Sequence, residues 1–72
     1  MVPLVLIKRN RILAKLKKAG SVSPQAAVTL EQAGVAKSDR NYPGLVAMML
    51  REGDILAAEE AGNRFYLGKK WN

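Results

Sequence analysis

The spacing of apolar residues changes once along the chain, and this change limits the folds that it can form. Up to residue 52, apolar residues recur every three to four positions, as they do on one face of a helix. After Gly53 two short strand-like runs, 55–60 and 64–67, lie on either side of the Gly-containing segment 61–63. Such a pair of runs is typical of a β-hairpin. The sequence therefore predicts helices followed by a C-terminal hairpin.

Length and composition predict a single domain over residues 1–72, because 49% of the residues are hydrophobic and 25% are charged. A domain of this size buries only about 60% of the surface that its unfolded chain exposes, so we expect modest stability. The apolar residues 1–5 are interpreted as flexible or as an extra strand. Residues 69–72 are interpreted as a tail from which Trp71 folds back onto the core.

The first predicted helix covers residues 6–19. Ile12, Leu13 and Leu16 fall on one face of it at the helical period. Gly20 follows the last helical residue, and glycine in this position is a common helix stop.

The second predicted helix begins at Ser23-Pro24 and runs to Ala33. Serine can cap the free N–H groups at a helix start, and proline suits the first helical position. Gly34 is expected to close this helix. Residues 35–41 are interpreted as a polar connector.

The third predicted helix covers residues 42–52, with Pro43 in its first turn. Its expected inward face consists of Val46, Met49 and Leu50, joined by Leu45 or Tyr42. The residues expected to point elsewhere are Gly44, Ala47, Met48 and Arg51. In the hairpin that follows, alternation places Phe65 and Leu67 on the inward face and Tyr66 outward.

The excess positive charge lies entirely in the first 20 residues. The net charge is +6, and residues 21–72 carry equal numbers of acids and bases. The basic residues of this segment, which contains no acid, are Lys8, Arg9, Arg11, Lys15, Lys17 and Lys18. Without interleaved acids these like charges repel one another. A solvated helix face and an anion-binding surface are therefore equal alternatives.

The composition argues against catalysis. The chain has no cysteine and no histidine, which excludes disulfides, thiolate metal sites and the commonest general base. No Gly-rich phosphate loop, metal-ligand spacing or nucleophile–base pair is present. We expect a non-enzyme without metal or cofactor, in the cytoplasm. Asp39, Glu59 and Glu60 are interpreted as solvated caps and strand-edge charges.

The order of three helices and a hairpin resembles the winged helix-turn-helix family over about Leu6 to Leu67. The matching features are the Ser23-Pro24 helix start, the Gly34-Val35 turn, the passage 51–55 into the first wing strand and the return strand 64–67. The resemblance implies an α+β fold that is mostly α, a three-helix bundle followed by a β-hairpin.

The resemblance also implies binding to duplex DNA, by a transcription regulator or a DNA-associated accessory protein. In this family the third helix commonly enters the major groove and the hairpin contacts the flanking backbone. The expected groove contacts are Arg40, Asn41, Tyr42 and Arg51. The expected backbone contacts are Lys8, Arg11, Lys15, Lys18, Lys37, Ser38 and Arg64, with Asn63 beside them at the wing tip.

Other partners remain open as alternatives. A protein-interaction module would dock through Ala47 and Met48, and a homodimer would form through residues 2–7 or Trp71. RNA is an alternative ligand because Tyr66 and Trp71 are able to stack on bases. We expect no membrane partner, since the apolar face of the first helix lacks Trp and Phe.

Overall fold

The computed structural model describes residues 3–58 and 63–72, and it combines α-helices with a two-stranded antiparallel sheet. The elements are α1 (Leu4–Lys18), α2 (Lys37–Arg40), α3 (Leu45–Glu52), β1 (Ile55–Ala57) and β2 (Phe65–Leu67), with 3-10 turns at Pro24–Ala26 and Lys69–Trp71. The predicted class, α+β and mostly helical, is confirmed.

Helix α1 confirms the first predicted helix and its stop. Its core face consists of Ile12, Leu13 and Leu16, all buried. Gly20 ends it in the left-handed conformation, with φ of 75°. The helix begins at Leu4, so the prediction of a flexible segment or a strand is wrong for residues 4 and 5. Residues 1 and 2 lie outside the described part of the chain.

The predicted second helix over residues 24–33 is wrong. Only Pro24–Ala26 makes a 3-10 turn, and Val28 then pairs with the sheet. The Val28 N–H donates to the Phe65 carbonyl at 3.1 Å, and the Phe65 N–H donates to the Val28 carbonyl at 2.8 Å. Valine is a good strand residue, and its backbone is satisfied by this pairing in place of a helical bond.

A single helical turn follows, and it begins at Thr29. The Gln32 N–H donates to Thr29 Oγ1 at 3.0 Å, and the Thr29 N–H donates to Gln32 Oε1 at 3.0 Å. This reciprocal pair is a capping box, which satisfies two donors that a helix start leaves free. Gly34, with φ of 83°, closes the turn as predicted, and the Val35 N–H donates to the Leu30 carbonyl.

Helix α2 lies in the segment predicted to be a polar connector. The next helix, α3, begins at Leu45 and not at Tyr42. Proline disfavours the helical conformation in the residue before it, which here is Tyr42. Gly44 then adopts the left-handed conformation, with φ of 77°, and separates the two helices.

The inward face of α3 differs from the predicted one. Leu45 and Met49 are fully buried, and Val46 packs partly against the core. Leu50 was expected to point inward, but its side chain is exposed. Met48 was expected to point outward, but it is half-buried against the core. The buried side is centred on Leu45 and Met49, which lie one turn apart, with Val46 and Met48 at its edges.

The predicted hairpin is confirmed. The paired residues are Ile55 with Leu67, Leu56 with Tyr66, and Ala57 with Phe65. Phe65 and Leu67 are buried, as the alternation predicts. The part of the predicted hairpin that covers residues 59–62 lies outside the described residues.

The end of the chain packs closely against the turn between α3 and β1. The Gly68 N–H donates to the Asp54 carbonyl at 2.9 Å, and a Cβ on Gly68 would overlap the Gly53 carbonyl oxygen. Trp71 packs against the core, as predicted. The buried core that these elements enclose consists of Ile12, Leu13, Leu16, Leu30, Val35, Leu45, Met49, Ile55, Phe65 and Leu67.

Candidate nucleic-acid interface

Residues that are distant in the sequence meet in one open groove of about 360 Å³. Arg40 and Asn41, at the end of α2, line it together with Asn63, which precedes β2. Its other lining residues are Thr29, Leu30, Glu31, Val46 and Phe65. The structure thus brings together two of the expected groove contacts and the expected wing contact.

The polar side chains of this groove differ in their exposure and in their hydrogen bonds to the protein. Arg40 is half-buried and donates from Nη1 to the Val35 carbonyl at 3.0 Å, which uses one of its five donors. Asn41 and Asn63 are exposed. Glu31 is also exposed and adds a negative charge at the rim. The lining therefore offers one guanidinium and two amide groups for hydrogen bonding, next to one negative charge.

Tyr42, another expected groove contact, does not line this groove. It is half-buried against the core, and its ring centroid lies 5.6 Å from the Lys8 ammonium. Arg51, the last of these expected contacts, is exposed on the final turn of α3. The structure does not place either of them among the residues that line the groove.

Asp39 is buried, so its interpretation as a solvated cap is wrong. Its Oδ1 lies 3.2 Å from Lys8 Nζ and 3.5 Å from Arg11 Nη1. Lys8 Nζ also donates to the Ser38 carbonyl at 3.4 Å. Burial of an acid demands such compensation, since an unpaired charge is costly away from water. Two of the expected phosphate contacts are consequently engaged with the protein's own carboxylate, and only 12% of the Lys8 side chain is exposed.

The remaining expected backbone contacts lie on the surface. Within residues 3–58 and 63–72, no ion pair involves Lys15, Lys18, Lys37 or Arg64, and all four are exposed. Ser38 is exposed as well. Since α1 packs against α2, the lysines of α1 and Lys37 belong to two adjoining elements.

Asp54 is a second buried acid. Nothing in the sequence distinguishes it from the acids whose side chains are exposed. Lys70 Nζ lies 2.9 Å from its Oδ1, and Trp71 Nε1 donates to the same atom at 2.8 Å. Burial raises the pKa of Asp54, but the hydrogen bonds from Lys70 and Trp71 and the charges of Lys70 and Arg9 outweigh it. The pKa of Asp54 is therefore lowered from its usual 3.8.

The Trp71 ring is engaged by two cations. Arg9 Cζ lies 5.3 Å from the ring centroid and Lys70 Nζ lies 5.9 Å from it. A second groove of about 240 Å³ runs beside the ring, and its lining residues are Asn10, Leu13, Ala14, Lys17, Leu67 and Trp71. With its N–H bonded to Asp54 and its ring half-buried, Trp71 has a clear structural role.

The apolar surface differs from the expected docking face. Ala47 is exposed and Met48 is half-buried, while Leu50, which was expected to point inward, is exposed on the same helix. The most exposed large apolar side chain of the described residues is Leu4, at 55%, and Ile7 follows one turn later at 37%.

No family model, curated protein or solved structure matches this chain. Among the described residues, no helix is both long and apolar enough to cross a bilayer. In the same part of the chain, no three acidic, histidine or cysteine side chains are grouped as metal ligands would be.

Proposed function

We propose that this chain is a small DNA-binding domain of the winged helix-turn-helix type, a transcription regulator or a DNA-associated accessory protein, and not an enzyme. The observation that carries the proposal is the groove in which Arg40 and Asn41 meet Asn63. Arginine and asparagine are the side chains that pair bidentately with guanine and adenine.

The order of elements supports a winged helix-turn-helix fold in which the second helix is shortened to a single turn. Between α1 and the hairpin lie the turn that begins at Thr29, helix α2, which ends at Arg40, and helix α3. The pairing of Val28 with Phe65 adds a segment to the edge of the two-stranded sheet. In this proposal, strands β1 and β2 are the wing.

The charge distribution supports a phosphate-contacting surface on α1 and α2. Lys15 and Lys18 are exposed on α1, and Lys37 is exposed on α2, which packs against it and ends at Arg40. Each phosphate that these side chains neutralise adds about 0.9 to the slope of log affinity against log salt concentration. We therefore expect binding that weakens steeply as salt is added.

A backbone-amide NMR titration with a mixed-sequence duplex, at low and at physiological salt, tests the proposal. We expect salt-sensitive shifts at residues 15–18, 37–41 and 63–64. Asn41→Ala should weaken binding several-fold, whereas Asn10→Ala, which alters an exposed asparagine outside the groove, should not. The absence of shifts at low salt would contradict DNA binding. The titration is repeated with a single-stranded RNA in place of the duplex. Larger shifts of the same residues with RNA than with duplex would support the RNA alternative.

A second candidate is a protein-docking or homodimerising module, and the exposed Leu4 and Ile7 favour it. These two side chains lie one turn apart on the outward side of α1. Sedimentation velocity distinguishes this candidate, since Ile7→Gln, which adds no charge to the side of α1 that carries Arg11, should abolish self-association but leave duplex binding unchanged. A wild-type chain that sediments as a monomer at high concentration would exclude the homodimer.

A further inference from the structure

The outward side of α1 carries three cations in a row, but only one of them has an acid partner. Arg11, Lys15 and Lys18 follow one another at steps of four and three residues, which places them on the same side of the helix. Arg11 lies 3.5 Å from Asp39, while in the described part of the chain no acid pairs with the other two.

Asp39 is held firmly in place. Its side chain is 5% exposed, and the Lys8 ammonium lies 3.2 Å away. Lys8 is itself fixed by the Ser38 carbonyl and the Tyr42 ring. A carboxylate this deeply buried requires nearby positive charge, and removing a partner from it is expensive. The Asp39 carboxylate therefore lies beside Arg11 and offsets its field.

We infer that Asp39 confines the phosphate-contacting surface of α1 to its C-terminal half, by pairing with both Lys8 and Arg11. This inference rests on the proposed function and adds a residue that sets the extent of the DNA interface. Lys15 and Lys18 contact phosphates, and Arg11, although 59% of its side chain is exposed, contributes little. The charges of Lys8, Arg11 and Asp39 sum to +1. The sequence alone suggests a charge of +2 at this place, because it does not show that Asp39 lies beside the two cations.

Two variants with the same change of charge test the inference. Arg11→Gln and Lys15→Gln each remove one exposed cation from the same side of α1, about one turn apart. Fluorescence anisotropy with a mixed-sequence duplex, over a series of NaCl concentrations, gives the slope of log affinity against log salt. Lys15→Gln should lower the magnitude of this slope by about 0.9, and Arg11→Gln should change it by less than about a third of that.

Asp39→Asn provides the opposite change. Lys8 remains bonded to Ser38, and Arg11 becomes free to meet a phosphate, so the slope should increase by about 0.9. The double variant Asp39→Asn with Arg11→Gln should return to the wild-type slope. NMR spectra of each variant confirm its fold, and the comparison of Arg11→Gln with Lys15→Gln decides the matter by itself if the Asp39 variants do not fold.

The outcomes separate this inference from the proposed function. Equal losses of slope in Arg11→Gln and Lys15→Gln would overturn the role of Asp39 and leave DNA binding standing. A wild-type chain that does not bind duplex at low salt would overturn both. A slope that falls only in Lys15→Gln, and rises in Asp39→Asn, is the result that we expect.

Discussion

One carboxylate joins the C-terminal residues to the turn after α3. Asp54 accepts hydrogen bonds from Lys70 and from the Trp71 ring, and its backbone carbonyl accepts the Gly68 N–H. The hydrogen bonds to its side chain are charge-assisted, and bonds of this kind are about twice as strong as neutral ones. The packing of Trp71 against the core therefore depends on an ionised side chain at position 54.

We predict that Asp54→Asn destabilises the fold by about 2 kcal/mol at pH 7, because it weakens hydrogen bonds to a charged group. The folded-state pKa of Asp54 is lowered from 3.8, so its contribution is fully present above pH 3.8. The contribution is lost as the pH falls through the folded-state pKa. Urea unfolding from pH 7 to pH 2 should show the wild-type advantage over the variant shrinking below pH 4.

Glu52→Gln is the matched control for this prediction, since Glu52 is an exposed acid two residues earlier. Its substitution should change the free energy of unfolding by less than about 0.5 kcal/mol. A stability difference between wild type and Asp54→Asn that stays constant down to pH 2 would contradict the role of the ionised carboxylate.

At the scale of elements, the wrongly predicted second helix has an identifiable cause. The run from Gln25 to Ala33 has the composition of a helix, and the local features against a continuous one are only the β-branched Val28 and the capping box between Thr29 and Gln32. The strand β2, however, leaves one edge free for pairing, and the backbone of Val28 takes it through two hydrogen bonds with Phe65. Ser21 pairs with the same strand at the Leu67 N–H. Tertiary pairing of this kind overrides local propensity and is not visible in sequence spacing.

Other elements could be predicted because their signals are local. The core face of α1, the stop at Gly20 and the alternation of Phe65 and Leu67 each depend on residues a few positions apart. At the candidate site, the resemblance indicated Arg40 and Asn41 as contacts to a groove of DNA; the structure shows that both line one groove of the protein, and their contact with DNA stays a prediction. The engagement of Lys8 by Asp39 could not be foreseen, because 31 residues separate them and only the packing of α1 on α2 brings them together.

The capping box between Thr29 and Gln32 predicts how substitutions of Thr29 change the stability of the fold. Thr29→Ala should cost about 1 kcal/mol of stability, because the Gln32 N–H loses its acceptor. Thr29→Ser keeps the hydroxyl and should cost less than half as much. Thermal unfolding followed by circular dichroism measures both. Equal losses in the two variants would show that the methyl group matters and the hydrogen bond does not.

At the scale of the whole molecule, positive charge opposes folding. The net charge is +6, and the ion pairs of the described residues use only Lys8, Arg11 and Lys70 among the cations. Lys15 and Lys18 lie one turn apart without an acid between them, so they repel each other. A small domain with modest burial is sensitive to repulsion of this size. The same cations that are proposed to contact DNA thus reduce the stability of the free protein.

This conflict predicts opposite effects of salt on stability and on DNA affinity. Added NaCl screens the repulsion and should raise the unfolding midpoint of the free protein, while it weakens duplex binding. The double variant Lys15→Gln with Lys18→Gln should be more stable than wild type at low salt, by about 0.3 kcal/mol, and bind duplex more weakly. Differential scanning fluorimetry with and without duplex measures both effects, since a ligand that binds the folded state raises its midpoint. A double variant that loses stability at low salt would show that these two lysines support the fold and do not oppose it.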